Sequence, residues 1–312
     1  LLPGANTSFT YAVRAERGEH EFEPATIIAR DVSGANETIT AAGEATTIRC
    51  LPEFPTDPVS IPLRSKVSQF TGRFPGDTGG PGLEFHATRQ YRRGDPLSRV
   101  DWRRTARTGE LTTVEFRVER TVRVCLVFDV RDAAHLAAED GDASAVERSV
   151  DAGIEAYASL TGEGHAVGIG AIGPTDCWLS PGSGDRHRTA ARHTFGTDPA
   201  LSPLPPKTET DIYQTTQRLK GRLGADTQVM LFTPLGDERI LSTAIRLDAH
   251  GYAVTVVSPD VTSTQTTGQT YARSQRRLRI ADLRSRGVPV IDWGQDEELG
   301  SPIARTAERW SQ

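Results

Sequence analysis

Arginines, carboxylates and aromatic rings are crowded together between residues 82 and 111, in the segment GLEFHATRQYRRGDPLSRVDWRRTARTGEL. An arginine can hold a carboxylate through two parallel hydrogen bonds and can stack on an aromatic ring. The segment supplies Glu84, Asp95 and Asp101 as carboxylates, and Tyr91 and Trp102 as rings, beside seven arginines. Two interpretations stay open: ion pairs that lock a long loop onto the fold, or an acceptor for an acidic surface on a partner protein.

Catalysis by this segment would need one of its acidic groups to give or take a proton. Asp95 and Asp101 are a conceivable pair, but neighbouring arginines keep carboxylates ionised, which suits ion pairing better than general acid chemistry. His86 has no serine or cysteine beside it in a nucleophile context, and histidines in polar stretches are usually solvated or structural. Two further histidines lie in such a stretch, His187 and His193. We therefore predict a non-enzymatic protein, unless the fold brings Asp101, His86 and Asp129 into one pocket.

An acidic residue also ends the apolar run Val122–Val130, where Asp129 comes two residues before Arg131. Such a run is typical of a central strand covered on both faces, and parallel sheets bind ligands outside the carboxyl ends of their strands. A carboxylate there is an oxygen ligand of the kind that Mg²⁺ prefers. A guanidinium so close would instead fill the place of the cation and neutralise the carboxylate.

This arrangement resembles the start of a von Willebrand factor type A domain, whose metal-ion-dependent adhesion site begins D-x-S-x-S. Here Arg131 replaces the first serine and Ala133 the second, and Thr233 follows the fourth strand, where an acidic residue would commonly help. We predict a degenerate metal site without a cofactor, held by an Asp129–Arg131 or Asp129–backbone contact. The alternative is a magnesium-dependent ligand-binding domain with a working adhesion site at Asp129.

Composition narrows the classes of function further. The 312 residues include 36 basic and 41 acidic ones, a net charge of −5. Nucleic-acid binding usually needs a basic excess, so we predict no nucleic-acid partner, although an arginine-and-aromatic stripe can stack on bases. Cys50, Cys125 and Cys177 stand far apart, which argues against a zinc site or a disulfide framework. No apolar run is long enough to span a membrane, so we expect this segment to be soluble.

Strand and helix patterns alternate from about residue 111. Thr112–Val118 alternates like a half-buried strand, and Ser144 with Glu147 forms the capping box that starts an amphipathic helix. The further predicted strands are Val122–Val130, Ala166–Ile172, Gln228–Thr233, Tyr252–Ser258 and Val288–Ile291. The further predicted helices are Thr210–Leu223, Asp237–His250 and Tyr271–Arg286. This alternation predicts a doubly wound α/β domain over residues 111–312, with a mostly parallel sheet covered by helices on both faces.

The first part of the chain has a different pattern. Residues 1–51 carry three short β-like stretches, Phe9–Arg14, Ala25–Arg30 and Thr46–Leu51, separated by glycine-containing turns. Three strands cannot close a sandwich alone, so we predict a partial β-sandwich, its second half. Residues 52–110 follow as a linker rich in proline and glycine, which ends in the arginine-rich segment.

The segment at 82–111, hereafter the signature block, resembles that of a conserved and uncharacterised family, the domain of unknown function 58 proteins. The residues that carry the resemblance are Gly82, Glu84, Phe85, Arg89, Tyr91, Gly94, Asp95, Arg99, Asp101, Trp102, Ala106 and Arg107. The resemblance implies a membrane-anchored parent protein, with two transmembrane helices in a missing N-terminal segment and this region in the cytoplasm. It also implies an AAA+ ATPase of the MoxR type as partner. We expect a protein-interaction module that serves the assembly or maturation of other proteins.

Overall fold

The computed structural model describes residues 8, 10–13, 15, 17–61, 63, 83–91, 100, 102–118, 121–139, 141–295, 297, 299–303 and 305. For 83–90, 103, 108 and 112–118 it describes the backbone alone. The chain divides into two compact units: residues 1–64 together with 122–312, and residues 65–121.

The elements within these ranges take up most of the described chain. The strands, in chain order, are β1 (Gly18–Phe22), β2 (Ala25–Arg30), β3 (Glu37–Ala42), β4 (Thr46–Cys50), β5 (Leu83–Gln90), β6 (Thr112–Val118), β7 (Arg123–Asp129), β8 (Ala166–Ile172), β9 (Trp178–Gly182), β10 (Thr227–Phe232), β11 (Ala253–Pro259) and β12 (Val290–Trp293). The helices are α1 (Trp102–Thr108), α2 (Ala145–Gly162), α3 (Asp185–Thr197), α4 (Ile212–Arg222), α5 (Glu238–Ala249) and α6 (Thr267–Ser285). None of these helices is long and apolar enough to cross a membrane.

Six of the described strands form the central sheet of the first unit, in the order β12-β11-β10-β7-β8-β9. Neighbouring strands pair in parallel, except that β9 runs antiparallel to β8 at one edge. β7 pairs with both β8 and β10, so that Asp129 lies opposite Ile172 and Phe128 opposite Phe232. The strand order therefore reverses between β7 and β10, where the chain crosses from one half of the sheet to the other.

Alternate residues of β7 point to opposite faces of the sheet, and both faces are covered. Val124, Leu126 and Phe128 pack in a core with α2 and α3. Cys125 and Val127 pack in a second core with α4, α5 and α6. All five side chains have no exposed surface, and a fully buried large apolar side chain contributes about 1.5–3 kcal/mol. The predicted α/β class, with a mostly parallel sheet between two layers of helices, is confirmed.

The capping box at Ser144 is present as predicted. The amide of Glu147 donates to Ser144 Oγ at 3.2 Å, and the amide of Ser144 donates to a carboxylate oxygen of Glu147 at 2.8 Å. Helix α2 therefore begins where the sequence pattern predicts, with two of its free amides satisfied.

Two elements of this unit leave no clear pattern in the sequence. Strand β9 contains Pro181, which has no amide hydrogen and is tolerated because β9 is an edge strand. Helix α3 is polar over most of its surface and buries Ala191, Phe195 and Gly196, too few residues for a continuous apolar stripe.

The N-terminal residues form two antiparallel ladders, β1 with β4 and β2 with β3. The predicted strands Ala25–Arg30 and Thr46–Leu51 correspond to β2 and β4. The described residues 10–13 are not in a strand, so the predicted strand Phe9–Arg14 is wrong there. A partial β-sandwich over residues 1–51 stays a prediction.

The proline-rich segment 52–61, called the strap below, packs against helices of the first unit, to which it belongs. Ile61 is 3% exposed and belongs to the core beneath α2 and α3. The ring of Phe54 stacks on Tyr157 of α2 with 4.9 Å between centroids. The apolar side chains of the strap are thus removed from water by packing on helices of the same unit, and the linker over residues 52–110 stays a prediction.

The second unit contains the signature block. Strands β5 and β6 pair antiparallel, with Leu83 opposite Val118 and a bulge between Phe85 and Ala87. Thr112–Val118, which the sequence pattern assigns to the α/β domain, lies in this unit because its partner is β5. The predicted domain boundaries after residues 51 and 110 stay predictions.

Candidate functional site

The carboxyl ends of β7 and β10 lie side by side at the point where the strand order reverses. Chain segments that leave two such strands run to opposite sides and form a crevice, the usual ligand site of open α/β sheets. β7 ends at Asp129, and Thr233 and Asp237 follow β10. The fold therefore brings two carboxylates and one hydroxyl from distant parts of the chain to this crevice.

Arg131 fills the space between the two carboxylates. Its Nε donates to Asp129 Oδ1 at 2.8 Å and its Nη2 donates to Asp129 Oδ2 at 3.0 Å. The same guanidinium donates to Asp237, from Nη1 at 2.9 Å and from Nη2 at 3.2 Å. The side chains of Asp129 and Arg131 are 1% and 7% exposed. The Asp129–Arg131 contact that the sequence analysis favours is thus present and buried.

Thr233 and Asp237 connect this ion pair to the loop after β10. The hydroxyl of Thr233 donates to Asp129 Oδ2 at 2.9 Å and accepts from the amide of Leu235 at 3.1 Å. Asp237 also caps α5, since its Oδ1 accepts from the amide of Ile240 at 3.0 Å. Sequence reasoning missed Asp237; its N-cap position before an amphipathic helix was the signal that could have found it.

Electrostatics favour the ionised forms at this site. Burial opposes ionisation of Asp237, but hydrogen bonds from Arg131 and from the amide of Ile240 outweigh it and lower the pKa of the carboxyl. Burial also disfavours the charged guanidinium of Arg131, yet its bonds to Asp129 and Asp237 raise its pKa above the usual value.

These donors do not fit a magnesium ion. Both oxygens of Asp129 already accept from Arg131, and Ala133 supplies no side-chain oxygen. A cation could reach Asp129 only after the guanidinium had moved away, and Mg²⁺ requires several oxygen ligands in octahedral geometry. Over the described part of the chain, no three His, Cys, Asp or Glu side chains converge on one point.

A second arginine joins the ends of β11 and β12. Arg276 of α6, 3% exposed, donates from Nη2 to Ser258 Oγ at 2.9 Å and to Asp292 at 2.7 Å. Its Nη1 lies 3.4 Å from a carboxylate oxygen of Asp260. Sequence reasoning identified these strand ends but missed Arg276, because nothing in the pattern of α6 distinguishes one of its arginines from the others.

Two histidines and two cysteines that could be considered for catalysis have structural surroundings. Nε2 of His187 lies 2.7 Å from the carbonyl oxygen of Val167, and Nδ1 of His193 lies 2.8 Å from Thr197 Oγ1. Burial raises the pKa of the thiols of Cys125 and Cys177, which disfavours a reactive thiolate. The side chains of Asp101 and His86, which an enzymatic pocket would need, lie outside the described residues.

The described part of the signature block presents a ring and charges to solvent. Trp102 begins α1 and is 58% exposed, and Arg107 in the last turn is exposed. Tyr91 is half-buried, and its amide donates to the carbonyl oxygen of Leu111 at 2.9 Å. Of the other block residues, Glu84, Phe85 and Arg89 contribute described backbone to β5. Outside the described residues lie Gly82, Gly94, Asp95, Arg99 and Asp101, so the predicted ion-pair network stays a prediction.

Comparison with known proteins identifies the family of this chain. A family model described as "Protein of unknown function DUF58" matches residues 87–262, more than half of the chain. The matched range runs from β5 through the Arg131 cluster to the end of β11. No curated protein matches the chain.

Proposed function

This chain belongs to the family of unknown function DUF58, and from that membership we propose that it is a non-enzymatic protein-interaction module. The proposed partner is an AAA+ ATPase of the MoxR type, and the proposed role is the assembly or maturation of other proteins. The parent protein is proposed to be anchored in a membrane, with this region in the cytoplasm. These proposals follow from the family resemblance of the signature block.

The exposed face of α1 carries the proposal. Contact between a large apolar ring and water is unfavourable, and Trp102 is 58% exposed. The same helix also exposes Arg107. Tryptophan and arginine are the residues that most often contribute the largest share of binding energy at protein interfaces. This face therefore has the chemistry of a contact surface, which supports the interaction interpretation of the block.

The Arg131 cluster supports a role without catalysis. A general base or a metal ligand must have an oxygen free for substrate or cation, whereas Asp129 is bound on both oxygens. The placement of Asp129 at the end of the first sheet strand, with Thr233 beside it, also supports a von Willebrand A-like identity for the domain. We propose that identity with a degenerate adhesion site.

Co-purification tests the partnership. The chain would be co-expressed with a MoxR-type ATPase encoded in the same genome, and the ATPase retained on the tagged chain would be measured. We expect Trp102→Ala to reduce retention by about tenfold, the scale of a strong interface residue, without changing the melting temperature. Tyr213→Ala is the matched control, because Tyr213 is a ring 59% exposed on α4. Equal retention by both variants, or none by the unaltered chain, would count against the proposal.

A magnesium-dependent ligand-binding domain is the second candidate. The observation in its favour is that Asp129 and Asp237 both accept from Arg131, and that the hydroxyl of Thr233 is bonded to Asp129. Calorimetric titration with magnesium separates the two candidates. We expect no binding heat from the unaltered chain, and a signal only in Arg131→Ser, which removes the guanidinium. Heat from the unaltered chain that disappears in Asp129→Ala would instead establish the magnesium site.

A further inference from the structure

A cavity of about 380 Å³ opens beside the Arg131 cluster, between the loop after β7 and the first half of α6. Leu136, Val261 and Ala272 form apolar walls, and residues 234–236 form the floor. Ligand pockets in proteins commonly measure about 300–1,000 Å³. The cavity is therefore large enough for one bulky side chain of a partner.

The floor of the cavity is held in an unusual backbone conformation. Leu235 has φ +57° although it is not glycine, and its side chain is fully buried. The hydroxyl of Thr233 accepts from its amide, and Arg279 Nη1 donates to its carbonyl oxygen at 3.0 Å. Such a conformation costs about 1–3 kcal/mol and persists where the surroundings fix it, often at functional sites.

Large apolar side chains are also exposed at the rim of the cavity and farther along α6. Leu136 at the rim is 44% exposed, Tyr271 is 66% exposed and Leu278 is 63% exposed. Tyr271 and Leu278 lie seven residues apart on the same side of α6, which is about 10 Å along the helix axis. An occupant that covers both is longer than a small molecule and has the length of a peptide segment.

Negative charge predominates around this groove, which is defined by residues 129–139, 141, 142, 233–238 and 258–263 together with the cavity-lining residues of α6. Its described residues include seven carboxylates, Asp129, Asp132, Glu139, Asp142, Asp237, Glu238 and Asp260. They include three arginines, Arg131, Arg276 and Arg279, and each of these already pairs with a carboxylate of the groove. Two more arginines lie beside Asp260: Arg273 lowers the pKa of its carboxyl, and Arg148 donates to its carbonyl oxygen at 3.0 Å. Seven carboxylates therefore face five arginines. Asp132, Glu139 and Glu238 are exposed. The surplus charge therefore attracts cations and repels an acidic partner.

We propose that this groove binds a partner segment that places one apolar side chain in the cavity and flanks it with lysine or arginine. The inference rests on the proposed function, because it states the chemistry of a partner that the interaction module would take. Burial of the apolar side chain against Leu136 and Ala272 supplies affinity, and the carboxylates of the rim select a basic sequence.

Fluorescence anisotropy with the full chain tests this inference. The probe is a short fluorescein-labelled peptide rich in lysine, with one tryptophan and a leucine seven positions later. Two matched peptides replace its lysines with glutamate or its tryptophan with serine. We expect the lysine peptide alone to bind, and added salt to weaken its binding.

Two variants with matched controls locate the binding. Ala272→Trp fills the cavity and should weaken binding by about tenfold or more, since one large apolar contact is lost. Ala190→Trp, at an exposed alanine of α3, should leave binding unchanged. Glu139→Lys should weaken binding by about fivefold in low salt, whereas Glu44→Lys, in the turn before β4, should not. Melting curves of all four variants exclude unfolding as the cause.

Three outcomes would overturn the inference: no binding of the lysine peptide, equal binding of the glutamate peptide, or unchanged binding by Ala272→Trp. These outcomes are separate from failure of the proposed function. If the ATPase is retained but the peptide does not bind, the groove proposal is wrong and the proposed partnership still stands. If the peptide binds but the ATPase is not retained, the proposed partnership is wrong and the groove proposal still stands.

Discussion

At the scale of single residues, Arg131 is a permanent cation at a position where other crevices of this type hold exchangeable ligands. Its guanidinium is covalently attached, makes hydrogen bonds to Asp129 and Asp237, and is 7% exposed. A buried ion pair is not necessarily stabilising compared with an apolar pair, but loss of one partner leaves an uncompensated charge in the interior. The free energy of unfolding should therefore depend strongly on both partners being present.

Arg131→Met should lower the free energy of unfolding by about 3–5 kcal/mol, because it leaves the Asp129 carboxylate buried without its guanidinium. The double variant Arg131→Met with Asp129→Asn should lose less, since it removes the stranded charge as well. Urea denaturation of both variants measures the difference. Equal losses in the single and the double variant would show that the pair is not coupled.

At the scale of elements, apolar periodicity located the strands and helices that face the core. β7 and β8 are buried along almost their whole length, so a continuous apolar run marks each of them. Helix α3 and strand β9 are stabilised by packing at the edge of the sheet. The local sequence pattern does not predict such packing. The strap shows the same limit, because its prolines indicate extended chain but not the surface against which that chain packs.

The sequence predicts the local part of the candidate site but not its long-range contacts. Asp129 and Arg131 are two residues apart, and their contact follows from local spacing together with the position of the strand end. Asp237 and Arg276 reach their clusters through tertiary contacts, at separations of 106 residues from Arg131 and 18 residues from Ser258. The first separation depends on the order of strands in the sheet, which single-sequence patterns do not specify.

Phe54→Ala tests whether the strap is part of the folded unit. Phe54 stacks on Tyr157 and lies under the guanidinium of Arg188, 5.1 Å from its ring centroid. We expect the free energy of unfolding to fall by about 1–3 kcal/mol, since a partly buried ring and its stacking contact are lost. Val32→Ala, at a fully exposed side chain, is the control. A free linker would make the two variants indistinguishable in chemical denaturation.

At the scale of the whole molecule, the chain carries a net charge of −5 with its arginines and carboxylates interleaved. Burial opposes ionisation of Asp237 and Asp260, but their hydrogen bonds and arginine neighbours lower the pKa of both below the ordinary 3.8. The unfolded chain therefore binds protons more readily at these carboxyls than the folded chain does. Their stabilising contribution is complete above pH 3.8 and is lost as the pH falls through the folded-state pKa values.

The melting temperature should therefore fall as the pH drops below about 4, and it should fall less in Asp237→Asn, which removes one of these titrations. Asp151 has the opposite effect on the pH dependence of stability, because burial raises the pKa of its carboxyl. Its contribution to the free energy of unfolding therefore weakens as the pH rises. Differential scanning calorimetry from neutral to acidic pH measures both curves. Parallel curves for the unaltered chain and Asp237→Asn would contradict the argument.

The strap also has a consequence for biosynthesis. Arg192 of α3 donates to the carbonyl oxygen of Pro52 at 2.9 Å across 140 residues of chain, and residues 65–121 form a separate unit in between. Ribosomes add about 5–20 residues each second, so the strap leaves the ribosome on the order of ten seconds before α3 exists to cover it. Until first α2 and then α3 have been synthesised, Phe54 and Ile61 lack the apolar surfaces that bury them in the folded chain. We therefore expect chaperones that hold exposed apolar segments to bind the nascent chain until synthesis has reached the end of α3.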